Sequence, residues 1–192
     1  SNPSVSSLGK GRTEEGSLLP AQPVRRVRAN AATANMVRLD AVMAARDGDA
    51  LPVLLADEME VVEHYTGAAY DREGALASLR ALLGARNPAY WHEPLATLGD
   101  ALTLCRLSVS ASGLARGTFD VGAYQTEMIE VIEVDASGRR QRSEVFAPDH
   151  LGDAIARLYE RYADLLPDGP ARTRAVATAR SVAALLGPFD PE

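Results

Sequence analysis

Apolar residues recur at helical spacing early in the chain. Ala32, Met36, Leu39 and Met43 fall on one face and predict a helix within residues 24–46. Asp47-Gly48-Asp49 breaks that pattern. Residues 49–56 predict a short second helix, with Asp49 as N-cap and Pro52 early enough to be tolerated. Residues 58–65 alternate as a strand does, and Thr66-Gly67 ends them. Asp71 opens a third helix, whose apolar face is Ala75, Leu76, Leu79, Leu82 and Leu83; Gly84 and Pro88 stop it.

Strand patterns then follow one another. They cover residues 90–97, 101–110 and 117–134, the last long enough to bend near Gly122. Asp135-Ala136-Ser137-Gly138 is a hairpin turn, and residues 139–147 return beside it. After Pro148, the residues Leu151, Ile155, Leu158, Tyr162 and Leu165 predict an amphipathic helix with Asp149 as its cap. A last helix is predicted over residues 170–186. Helices followed by a tightly connected run of strands predict an α+β fold: an antiparallel sheet with helices on one face. The absence of crossover helices disfavours a doubly wound parallel sheet. Residues 1–22 read as a flexible tail, with Ser1-Asn2 a tag scar, so the chain reads as a piece of a longer protein.

Composition narrows the picture. The 192 residues are 46% hydrophobic and 24% charged, as in ordinary globular proteins. A net charge of -6 argues against a nucleic-acid partner. One cysteine excludes an internal disulfide, and three scattered histidines argue against a structural zinc site. No apolar run approaches the ~18 residues of a membrane span, so no membrane partner is expected and a cytoplasmic location is. Gly9-Lys10-Gly11 is too short for a phosphate loop, and no dinucleotide, kinase or nucleophile-elbow motif is present. No cofactor is expected.

The run from Ala44 to Leu51 (AARDGDAL), then Leu54-Leu55-Ala56-Asp57-Glu58 and Val61-Val62-Glu63-His64, resembles the opening of the SnoaL-like, nuclear-transport-factor-like superfamily. The helix opening near Gly74 and the Val134-Asp135-x-x-Gly138-Arg139 hairpin agree with it, over residues 24–147. Residues 144–151 and 154–162 are similar to the ends of SnoaL-like units in large bacterial multidomain regulatory proteins. An Arg/Ala/Val rhythm shared by residues 24–43 and 171–185 fits such a repeat, although any two Ala-Arg helices look alike. The resemblance implies a SnoaL-like domain over residues 23–147, with a curved antiparallel sheet wrapped around the N-terminal helices as a cone. Residues 148–192 form a C-terminal helical extension.

In that cone the resemblance implies a pocket for a small apolar ligand. Glu63 falls where the steroid isomerase branch carries its general base, and Glu130 where it carries a protonated donor. Two carboxylates in one pocket would raise at least one pKa. Leu39 stands where the isomerase pattern needs a tyrosine, which disfavours a steroid isomerase. Arg106 with Glu130 imitates part of the Asp–Arg–Asp set of the epoxide hydrolase branch, without a second matching aspartate. Strand alternation puts Val61, Glu63 and Tyr65 on one face and His64 on the other; a one-residue slip would make His64 the base. Tyr65, Trp91, His92, Arg106 and Tyr124 are the candidate ligand contacts, against an ordinary packing role for each. Cys105 reads as a buried hydrophobe. The acids Glu127, Glu130, Glu133 and Asp135 are split across two faces, which argues against a cation site, and no metal is expected.

Three functions follow from this reading. One is a non-catalytic ligand-binding or assembly module of a larger bacterial regulatory protein. The second is a pocket enzyme of isomerase, cyclase or hydrolase type using Glu63 and Glu130. The third is a homodimerisation scaffold that uses the sheet face opposite the helices, with Ile129, Val131 and Val62 contributing.

Overall fold

A computed structural model describes residues 27–112, 114–116, 119–121 and 123–187, with side chains outside 113–122. The expected tail and the bend at Gly122 lie outside the described residues. Helix α1 (Ala31–Ala45) is capped by Asn30: the Thr33 backbone N–H donates to the Asn30 side chain, and the Asn30 N–H donates to Thr33 Oγ1. The Asn30 amide also donates to the carbonyls of Gly99 and Leu102, which ties the helix start to the sheet. Ala32, Met36, Leu39 and Met43 are all buried, as their spacing predicts.

The expected second helix is a single 3-10 turn, Pro52–Leu54. Leu55 and Ala56 already belong to strand β1 (Leu55–Glu63), because Leu55 pairs with Arg140 across the sheet. A short β2 (Ala68–Asp71), not foreseen in the pattern, pairs antiparallel with β1. Helix α2 (Arg72–Leu83) starts on Asp71, whose carboxylate accepts the Gly74 N–H. Strands β3 (Ala89–Leu98) and β4 (Leu102–Ala111) follow. A small ribbon, β5 (Leu114–Arg116) with β6 (Phe119–Val121), precedes β7 (Tyr124–Val134). Gly138, at φ 73, closes the turn into β8 (Arg140–Phe146).

The six-stranded sheet has the order β2-β1-β8-β7-β4-β3. Its pairings are antiparallel except one: β1 and β8 run parallel. The sheet is therefore mixed, not antiparallel throughout. The β7–β8 hairpin fixes the direction of β8, while β1 was laid down some 80 positions earlier. No tight turn joins β1 to β8, so nothing imposes antiparallel pairing on them.

Helices also occupy both faces of the sheet, not one. On the inner face, α1 and α2 pack on residues such as Met59, Val61, Cys105, Ile132 and Val145. On the outer face, Leu102, Leu104, Ile129, Val131 and Phe146 meet Ala154 and Leu158 of α3 (Leu151–Leu165). Glu144 of β8 accepts from Arg142 and from Arg157 of α3, and Glu133 of β7 accepts from Arg161 of α3. Asp149 is not the cap: it sits in a 3-10 turn, Pro148–His150, and α3 starts without a side-chain cap. The last helix, α4 (Pro170–Leu186), packs on α3 through Ala175 and Ala179. The face proposed for self-association, with Ile129 and Val131, is thus occupied by this chain's own α3. No described helix is long and apolar enough to cross a membrane.

Truncating Leu158, which is buried between α3 and the sheet, leaves a cavity in the outer core. Leu158→Ala is expected to lower the unfolding free energy by about 2–5 kcal/mol in urea titrations. A loss below about 0.5 kcal/mol, the range of surface substitutions, would place α3 outside the cooperative core.

Candidate functional site

Between α1, α2 and the inner face of the sheet lies a cavity of about 240 Å³. Its walls are apolar: Leu39 of α1, Ala75, Leu79 and Leu82 of α2, Leu107 and Val109 of β4, Met128 of β7, and Met59, Val61 and Val145 of β1 and β8. A few polar groups interrupt them, with Glu63 and Tyr70 in one part and Tyr90, Glu130, Arg140 and Ser143 in another. An apolar cavity with few placed polar groups is the usual form of a small-molecule site.

The buried end is a chain of alternating charges. Glu130 and Arg140 are each 3% exposed. Arg140 Nη1 donates to Glu130 Oε1 at 3.1 Å. The other oxygen of Glu130 lies 3.2 Å from His92 Nε2, and His92 Nδ1 lies 2.6 Å from Asp40 Oδ1. Asp40 Oδ2 also accepts the His92 backbone N–H. Both ring nitrogens therefore face carboxylate oxygens, which can only accept, so His92 donates from both and is an imidazolium. Burial alone would lower the His92 pKa; the bonds to Asp40 and Glu130 outweigh it and raise it. For Glu130, burial favours the neutral acid, but Arg140 and then His92 hold its pKa down to about 2.

The expected mutual repulsion of Glu63 and Glu130 gives way to this arrangement. Arg140 and His92 neutralise Glu130, so it is ionised and has no proton to donate at neutral pH. Glu63 sits at the rim of the same cavity. It accepts from Tyr70 Oη at 3.1 Å and from Thr66 Oγ1 at 2.8 Å. Burial and the negative charge of Glu63 raise the Tyr70 pKa, so Tyr70 is a neutral donor.

Of the candidate contacts, Tyr124 lines the cavity and His92 lies behind Glu130. The others are elsewhere. His64 is on the outer face, stacked on Phe146 and bonded to Glu144 through Nε2 at 2.9 Å. Regular alternation in β1 explains this placement, since Glu63 points inward. Trp91 also points outward, 48% exposed, because its neighbours Tyr90 and His92 take the inner face. Arg106 lies on the outer side, paired with Glu93. Tyr65 is exposed in the turn after β1 and does not line the cavity. Asp40 and Arg140 were missed by the sequence reading. The signal for Asp40 was its position: four residues after Met36 and three before Met43, it falls within the apolar stripe of α1.

His92, Cys105 and Glu130 bring ligand atoms within 4.8 Å of one another. His92 Nε2 and Glu130 already satisfy each other there, and the neighbouring Arg140 guanidinium repels a second cation. Burial and then the Glu130 charge push the Cys105 thiol pKa up, which keeps it a neutral thiol. The residues present fit an ionic network better than a metal centre.

This network sets the acid response. The folded-state pKa of Glu130 lies below its usual value of 4.5, so its contribution is present above that value and is lost as pH falls toward about 2. His92 has the opposite sign: its raised pKa stabilises the fold below 6.5, and that stability is lost as pH rises through the folded value. Glu130→Gln leaves Arg140 buried and unpaired, and is expected to cost about 3–5 kcal/mol at pH 7. Urea midpoints from pH 2 to pH 9 check this; the variant's penalty should shrink below pH 4. An undiminished penalty at pH 2 would mean that packing, not charge, makes Glu130 necessary.

By sequence, no protein-family model and no curated protein matches the chain. Solved structures share its fold. RV0760c from Mycobacterium tuberculosis, in complex with estradiol-17beta-hemisuccinate, superposes with a TM-score of 0.51 at 14% identity, over 63% of this chain and 97% of that one. A putative polyketide cyclase from a Silicibacter species gives 0.50 at 16% identity, over 65% and 93%. SalBIII, an epoxide hydrolase/cyclase-like enzyme of pyran ring formation in the polyether salinomycin, gives 0.50 at 9% identity, over 59% and 88%. Identities this low speak for the fold alone: an α+β cone, the architecture expected from the resemblance of residues 44–64 and 134–139.

Proposed function

We propose that this chain is a binding module for one compact, largely apolar molecule held in the cone, and that it does not use Glu63 and Glu130 as an acid–base pair. The observation that carries this reading is the pairing of Glu130 with Arg140 and His92. A carboxylate held to a pKa of about 2 is a poor general acid at neutral pH. The apolar walls favour an apolar ligand body. At about 240 Å³ the cavity is a little below the roughly 300–1,000 Å³ of sites for drug-sized molecules, which favours a compact one. The estradiol derivative in the RV0760c structure supports a ligand with an apolar body in this fold. Membership of a larger bacterial regulatory protein is part of the same proposal and rests on the resemblance of residues 144–162. A homodimer, also part of it, would have to use a surface other than the one under α3.

Thermal and urea unfolding with a panel of neutral apolar compounds, from bicyclic to steroid size, tests the reading. A binder at about 100 times its Kd is expected to add about 2.7 kcal/mol of stability. Val109→Trp, which fills the cavity, should abolish that gain. Glu63→Gln should leave binding intact. A panel without any stabilising compound, or stabilisation that survives Val109→Trp, would sink the proposal. Turnover of a bound compound that is lost in Glu63→Gln would instead establish the enzyme reading.

A further inference from the structure

Arg140 has an unmet obligation. Its Nε donates to Asn35 Oδ1 at 3.3 Å and its Nη1 to Glu130. Its Nη2, which carries two N–H donors, is buried without a hydrogen-bond partner, although the Tyr90 hydroxyl in the same lining is close enough to help raise the Arg140 pKa. Buried donors are nearly always satisfied, and one left unpaired on a cation costs free energy comparable to a lost charged hydrogen bond. Arg140 lines the cavity, so an occupant of the cavity can supply the missing acceptor. Ser143 Oγ is a second buried atom without a partner in the same lining. It is near enough to Glu130 to help lower that pKa, yet it makes no well-formed hydrogen bond there.

Charge decides what kind of acceptor fits. Asp40, His92, Glu130 and Arg140 alternate in sign and sum to zero. An anionic ligand head would add an uncompensated charge to a buried, balanced set. A neutral carbonyl oxygen meets the two Nη2 donors without disturbing that balance. A hydrocarbon leaves them unmet.

Resting on the ligand-binding reading above, we propose that Arg140 is a ligand-anchoring residue and that the ligand is a compact neutral molecule with a ketone or ester carbonyl. The carbonyl oxygen accepts from Arg140 Nη2, with Ser143 beside it and the apolar body against Val109, Met128 and Leu79.

Three probes of similar size test this on the full chain: 2-tetralone, its hydrocarbon tetralin, and 2-naphthoate. Calorimetry should give 2-tetralone about tenfold tighter binding than tetralin, the size of one charge-assisted hydrogen bond, and the weakest binding for naphthoate. Difference infrared spectra should show the bound carbonyl stretch below its frequency in an apolar solvent. Arg140→Lys, which keeps a cation beside Glu130, should bring 2-tetralone down to the affinity of tetralin. Should that variant fail to fold, the infrared shift on the unaltered protein decides the matter. Equal binding of ketone and hydrocarbon with an unshifted carbonyl overturns the anchoring role and leaves the binding module standing, with a water on Nη2. Tightest binding by naphthoate overturns the neutral class. Binding by none of the three overturns the anchoring of a compact carbonyl ligand, and leaves the binding module to be decided by the wider panel.

Discussion

The buried pair of Glu130 and Arg140 is the constraint on which the cone depends. Taking two charges out of water costs several kcal/mol for each ion, and their attraction offsets that only when the remaining donors and acceptors are also met. The chain meets them by convergence. His92 comes from β3, Asp40 and Asn35 from α1, Glu130 from β7 and Arg140 from β8. Asn35 is itself fully buried, and its amide donates to the carbonyls of Leu54 and Gly138. The register of the β7–β8 hairpin and the seat of α1 on the sheet are thus coupled through one set of hydrogen bonds. A shift in either would strand a charge.

The same device appears on the opposite face with another purpose. Glu133 and Glu144 are buried under α3, and arginines at one-turn spacing, Arg157 and Arg161, reach down to them. Burial favours the neutral form of Glu144, but Arg157, Arg142 and His64 together bring its pKa to about 2. Here the outer core already has its apolar partner in α3, and the ion pairs fix the helix's position on the sheet. Continuous burial of β7 from Ile129 to Val134 follows from having helices on both sides. On the inner face the ionic set adjoins open space, so a leftover donor such as Arg140 Nη2 has chemical meaning.

Much of the fold was legible locally. The α1 stripe, the Asp71 cap, the α2 face, the Asp135–Gly138 turn and the limits of α4 all follow from side-chain period and capping chemistry. The β1 alternation put Glu63 and His64 on opposite faces, and the resemblance chose Glu63 as the inward one. Where the reading failed, a distant partner was decisive. Leu55 and Ala56 have a helical look, yet pairing with β8 makes them strand. Trp91 is the large apolar ring of β3, yet His92 takes the inner place because Asp40 and Glu130 wait there.

By itself, then, the sequence determined the long helices and most of the strands, the helix faces and the α+β class, since these depend on neighbours within a few residues. The tertiary structure decided the parallel β1–β8 pair, the second helical layer and the chemistry of the cone. β8 alone carries Arg140, Gln141 and Arg142 in succession, and nothing local distinguishes the one that goes inside. Arg140 is selected because Glu130, ten residues away, and Asn35, 105 residues away, offer it acceptors out of water. The charge state of a buried group is set by its partners, and those partners are brought together only when the chain is folded.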